Sequence, residues 1–272
     1  PPRIDASPPE ETAKLVFVHA SVGEQWLGHW LGGRQGDAYW SISLGGNNYN
    51  VRDYNVHNNE TLHAVDVGHN YCDWYHVFTN PTNLNMLFSH NEVEGAYDAL
   101  DAGNGGENDI VMIKPCFTQY PIVGNPDDPP SGESGCPGDP NLGWNPNTVG
   151  NVKQVLIDIR AVFAQHPDKF FVLLTAPPKK EVGMTDGENA RAIADWMVHD
   201  WLADYTVGNV MVFDLYNVLT SNAFGQGEPC QQWDTYPHDP ASASDVELAT
   251  GNHHRVWQGG LQHQVGYDQP YS

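Results

Sequence analysis

The chain has 272 residues with 34 acidic and 12 basic side chains, a formal charge of −22, yet only 17% of its residues are charged and 40% are hydrophobic. So negative a chain repels a phosphate backbone, which argues against a nucleic-acid partner. No apolar run approaches the roughly 18 residues of a membrane span, and the aromatic content excludes a disordered acidic tail.

Residues 1–13 are rich in proline and acid and read as a linker or stalk ahead of a single domain at 14–272. The chain opens Pro1-Pro2-Arg3 without an apolar leader, as expected of a processed product. Leu15, Val16, Phe17 and Val18 then form a continuous apolar run, the signature of a strand buried on both faces. Ser21 follows, and residues 22–31 carry a helical pattern. Residues 48–56 form a weaker strand candidate, and 93–102 a helix. Strands are expected within 109–117, 169–178 and 209–219. Between them, helices are expected over 148–166 and 186–205. Each carries an apolar stripe: Val152, Val155, Leu156, Ile159, Val162 and Phe163 in the first, Ala190, Ile193, Ala194, Met197, Trp201 and Leu202 in the second. Strands alternating with helices predict an α/β fold with a mostly parallel sheet covered by helices on both faces. Two stretches depart from this rhythm: a Pro/Gly/Asp-rich insertion at 118–147 and an irregular region at 220–272.

Ser21 is the first chemical candidate. A serine hydroxyl becomes a nucleophile only where a base takes its proton and donors hold the resulting oxyanion. A strand end ahead of a helix offers rigidity and nearby N–H groups; the same position also suits a helix cap.

Around Ser21 the sequence reads HASVGEQWL, followed downstream by IVMIKPCFTQYPI, FVLLTAPP, ENARAIADWMVHDWL, NVMVFDLYNVLTSN and TGNHHRVWQGGLQH. In these blocks, over residues 14–265, the chain resembles the SGNH/GDSL-hydrolase-like superfamily, in the exported bacterial subgroup whose first block reads His-His-Ser. The resemblance implies a three-layer α/β/α sandwich with a flavodoxin-like sheet and Ser21 as nucleophile. It implies ester hydrolysis, including deacylation of carbohydrate. The second block, which supplies a glycine N–H, matches residues 53–59, where no glycine stands. The third block's asparagine falls nearest Gln119, a side chain one methylene longer. The fourth block, Asp-x-x-His near the C-terminus, has no counterpart in the C-terminal region of this chain. The base is therefore open. His254, in the Asn252-His253-His254 cluster, is the nearest substitute, with His19 and His263 as further imidazoles. Either the given chain stops before that block or this member has lost its base; the second case points to the alternative, a catalytically silent extracellular module that binds glycan or assembles with itself.

Acidity, few lysines and four cysteines without a CxxC pair suggest an extracellular or cell-surface location. Cys116 with Cys136 is the preferred disulfide, leaving Cys72 with Cys230; four cysteines allow three connectivities. No organic cofactor is expected. Calcium has two oxygen-rich candidates, residues 101–109 and the acids Asp127, Asp128, Glu133 and Asp139, although neither has EF-hand spacing. Trp26, Trp30, Trp40, Trp74, Trp144, Trp233 and Trp257 fall in or beside loops and amphipathic segments, where flat faces suit sugar stacking or loop anchoring.

Overall fold

The computed structural model describes residues 7–19, 46–55, 71–89, 106–115, 122–136, 147–176 and 184–216, with only the backbone described at 51–55 and 184–187. Its strands are β1 (Ala13–His19), β2 (Tyr49–Asn55), β3 (Ile110–Ile113), β4 (Phe170–Leu174) and β5 (Val210–Phe213). They form one all-parallel sheet in the order β2-β1-β3-β4-β5. Val18 pairs with Ile113, Ile113 with Leu173 and Leu173 with Val212, so one row of apolar side chains crosses the sheet. The expected α/β architecture is present, and all five expected strands form. β3 stops short of its predicted end because Pro115 lacks the N–H that would extend the ladder.

Four helices flank the sheet: α1 (Tyr71–Thr79), α2 (Pro81–Phe88), α3 (Val149–Phe163) and α4 (Met184–His199). Their stripes meet Val16, Val18, Val111, Ile113, Phe171 and Leu173 in one core. Phe163 stacks on Phe171 with ring centroids 3.8 Å apart. Strand side chains alternate between faces, so Phe17, Val172 and Leu174 point the other way. They are buried too, so both faces of the sheet are covered.

The helix expected over 148–166 forms at Val149–Phe163, and the one expected over 186–205 forms at Met184–His199, six residues short of its predicted C-terminal end. The Thr148 hydroxyl caps α3 by accepting from the Asn151 N–H at 3.1 Å. Trp201 turns inward past the end of α4 and donates its indole N–H to the Leu156 carbonyl at 3.0 Å. Helices α1 and α2 went unpredicted. Asn80 separates them, and its side chain caps α2 by accepting from the Thr82 N–H at 2.9 Å, with Pro81 in the first turn. Trp74, expected among loop aromatics, is instead a buried core residue of α1; the other six tryptophans of that group lie outside the described residues.

The insertion is held down by contacts rather than by its own elements. Val123 and Thr148 form a bridge. Ser131 N–H donates to the Gly150 carbonyl at 3.1 Å, and the Lys153 ammonium donates to the Asp128 carbonyl at 2.7 Å. Asn189 donates to the carbonyls of Ile122 and Gly124. The disulfide corrects the preferred pairing: Cys136 bonds Cys72, with Cα atoms 5.3 Å apart, not Cys116. The insertion lies along the helix layer, where Cys72 on α1 meets it. This also removes the pairing of Cys72 with Cys230.

Candidate active site at the carboxyl edge of the sheet

In an open parallel sheet, ligands bind beyond the carboxyl ends of the strands, where the strand order reverses. Here the chain steps from β1 to β2 in one direction and then from β3 to β5 in the other. The switch point lies between β1 and β3. Their last residues and the few that follow define the candidate site.

β1 ends at His19, buried against the Phe17 ring with centroids 5.0 Å apart. β3 is followed by Lys114, whose N–H donates to the Val18 carbonyl at 2.9 Å, continuing the ladder one residue past the strand. A residue before proline is held in the extended region, so Pro115 keeps Lys114 in strand alternation. Because Val18 pairs with Ile113, the next residues, His19 and Lys114, stand side by side. Both face away from the layer of α1 to α4. Lys114 is only 1% exposed, and its ammonium donates to the Pro115 carbonyl at 3.2 Å. An ammonium taken out of water is costly unless its environment compensates, so a lysine here is a demanding choice. The sequence reading passed over Lys114. A polar residue directly after four apolar strand residues and directly before proline was its signal.

Further along the edge, Thr175 is fully buried after β4, and its hydroxyl accepts from the Tyr216 N–H at 2.7 Å. This ties the ends of β4 and β5 together. Arg191 on α4 pairs with Asp195 at 3.1 Å. Burial lowers the pKa of its guanidinium, while the charges of Asp195, Tyr216 and Asp214 oppose that shift.

Ser21, Gln119 and His254 all lie outside the described residues, as do His253 and His263. The Asp-x-x-His spacing does occur once among the described elements, at Asp73 and His76 of α1. That helix belongs to the layer on the sheet face opposite His19 and Lys114.

The described residues contain no group of three or more His, Cys, Asp or Glu side chains placed to hold a metal. The Asp128 carboxylate accepts from the Asn125 N–H at 2.8 Å. Glu107 pairs with Lys169 at 2.6 Å, and Asp109 accepts from the Lys14 N–H at 2.8 Å. These acids of the two calcium candidates hold turns and cations. Among the described residues, no helix is long and apolar enough to cross a membrane.

No family model matches the chain, and no curated protein matches it. Among solved structures it is similar to a "putative acylhydrolase" from Bacteroides fragilis NCTC 9343, at 12% identity and a TM-score of 0.38, over 80% of this chain and 74% of that one.

Proposed function

We propose that the chain is an exported hydrolase of SGNH type that cleaves an acyl ester, with Ser21 as nucleophile. The observation that carries this reading is the strand order. β1 lies at the reversal of the sheet, and the chain tethers Ser21 to the end of β1. Ser21 Oγ attacks the acyl carbon, and its own N–H together with the Gln119 amide holds the oxyanion. Carbohydrate esters are the substrate class the sequence favours, from its loop tryptophans and amide side chains. The disulfide between Cys72 and Cys136 supports an oxidising, extracellular location.

The test is hydrolysis of p-nitrophenyl acetate by the wild type and by Ser21→Ala. Loss of at least about 100-fold in kcat is expected; a Ser21→Ala protein as fast as the wild type rejects the assignment. A wild type inert to esters and to serine-directed reagents favours the silent glycan-binding or self-assembling module. That module is tested by glycan retention and by light scattering with and without a calcium chelator.

A further inference from the structure

We propose that the chain cuts itself between Asp128 and Pro129, with the Asp128 carboxyl group as nucleophile and the Lys153 ammonium holding the oxyanion. The reaction is separate from the ester hydrolysis proposed above and uses none of its residues. Lys153 reaches out from α3 and donates to the Asp128 carbonyl oxygen at 2.7 Å and to that of Pro126 at 3.3 Å. The first of these is the carbonyl of the Asp128–Pro129 peptide bond. A charged donor therefore already sits on the oxygen that gains charge when that carbon is attacked. Lys153 is only 6% exposed, so this contact is shielded from water. Burial lowers its pKa, while the charges of Asp127, Asp128 and Asp200 oppose that shift; in mild acid it is an ammonium. The attacking group is built in. The Asp128 carboxyl group is joined to its own carbonyl carbon through Cα and Cβ, so attack closes a five-membered anhydride ring. The Asn125 N–H donates to Asp128 Oδ2 at 2.8 Å and fixes that carboxyl group in the turn. Pro129 closes the competing path: an aspartyl residue cyclises to a succinimide through the following backbone N–H, and proline has none. The bond is also held in place. Ser131 N–H donates to the Gly150 carbonyl at 3.1 Å, and Gly150 lets the segment lie against α3, because a Cβ there would come within 2.8 Å of the Pro129 carbonyl oxygen. Donor and carbonyl are thus together before the reaction starts.

The chemistry consumes one water and nothing else. An Asp128 carboxyl oxygen bonds to the carbonyl carbon, and the carbonyl electron pair moves to its oxygen, under the ammonium. As the tetrahedral carbon collapses, the C–N bond breaks, and the Pro129 nitrogen leaves with the carboxyl proton. Water then opens the anhydride and leaves Asp128 with two carboxyl groups. The pieces are residues 1–128 and 129–272. Cys72 lies in the first and Cys136 in the second, so the disulfide keeps them joined. Strands β1 to β3 belong to the first piece and β4 and β5 to the second, so the cut protein carries one sheet built from two chains.

The experiment incubates the full chain in mild acid, folded and in concentrated urea, and follows intact mass for the wild type, Asp128→Asn and Lys153→Met. Circular dichroism checks folding. After reduction, the fragments 1–128 and 129–272 should appear; without reduction, one species heavier by a single water should replace them. The Asp-Pro bonds at 139–140 and 239–240 give fragments of other masses and do not confuse the reading. The 128–129 bond should break about tenfold or more faster in the folded protein than in urea. Asp128→Asn should yield neither fragment. Lys153→Met should slow the folded reaction by about tenfold or more. Loss of an oxyanion donor costs roughly 100-fold to 1000-fold in an enclosed site, and here only the part of the bond that strengthens on attack counts. A lysine that merely pins the loop has the opposite sign, since its loss would free the bond to break as fast or faster. A folded Lys153→Met that cleaves at the wild-type rate therefore overturns the proposal, as does a wild type that cleaves no faster folded than in urea. If Lys153→Met does not fold, the wild-type ratio decides alone, and a ratio of one or less refutes the reaction.

Discussion

Removing the Cys72–Cys136 bridge tests the packing of the insertion against the helix layer. The bridge joins residues 64 apart in sequence. The pairing preferred from sequence would join residues only 20 apart. Loop-closure entropy assigns about 4 kcal/mol to the observed bridge and about 3 kcal/mol to the shorter one. Cys72 is buried on α1, so replacing both cysteines with alanine also leaves a small cavity. At roughly 2 °C per kcal/mol for a domain of this size, Cys72→Ala/Cys136→Ala should melt about 8 °C below the wild type. The assay is calorimetry under oxidising conditions, paired with a non-reducing peptide map. The map should recover the Cys72 and Cys136 peptides as one species. A Cys116–Cys136 species, or a midpoint that falls by less than about 2 °C, refutes the argument.

Three further outcomes follow from single contacts. A Cβ on Gly150 would lie 2.8 Å from the Pro129 carbonyl oxygen, so Gly150→Ala should lower the urea midpoint even though alanine favours a helix by about 1 kcal/mol; a raised midpoint contradicts this. Asn209 donates to the carbonyls of Phe163, His166 and Lys169, at 3.0, 2.9 and 3.1 Å. Asn209→Ala should cost about 1–3 kcal/mol, and Asn209→Asp more at neutral pH, because a carboxylate would face carbonyls; equal denaturation midpoints for the two variants would speak against it. The hydrogen bond from Arg160, and then its charge, hold the Asp204 pKa below the usual carboxylate value. A depressed folded-state pKa gives stability that is present above the unfolded value and is lost as pH falls through the folded one. Asp204→Asn should therefore flatten the decline in melting temperature between pH 5 and 3, and an unchanged slope argues against the pairing.

The strands were legible because a parallel sheet buried on both faces needs continuous apolar runs, and LVFV, IVMI and FFVLL are such runs. Helices α3 and α4 were legible from stripes that end up in the core. Helices α1 and α2 were not, because each is short and Tyr71, Cys72, Asp73 and Trp74 open α1 without a clean helical period. The Asn80-Pro81 cap was the readable signal there. The cysteine pairing was out of reach for another reason. It depends on which layer the insertion lies against, and neighbours in sequence carry no information about that. Lys114 shows a similar limit: its place beside His19 comes from the order of β1 and β3 in the sheet, which spacing along the chain does not encode.

The unusual charge balance takes on a physical meaning once the cations are placed. Six lysines and arginines have described side chains, and three of them, Lys114, Lys153 and Lys169, are buried. Two of the three are explained by architecture. Lys153 holds the insertion through the carbonyls of Pro126 and Asp128. Lys169 joins β4 to the segment before β3 through Glu107 and lies 5.6 Å from the centre of the Phe88 ring. Scarce cations in an acidic chain are thus placed where they tie one segment to another. Lys114 stands apart in place: it closes β3 beside His19 at the carboxyl edge, on the face away from the helix layer, and its ammonium donates to the Pro115 carbonyl. A buried cation costs stability unless its surroundings compensate, so each of these three lysines is held by acceptors rather than left to solvent.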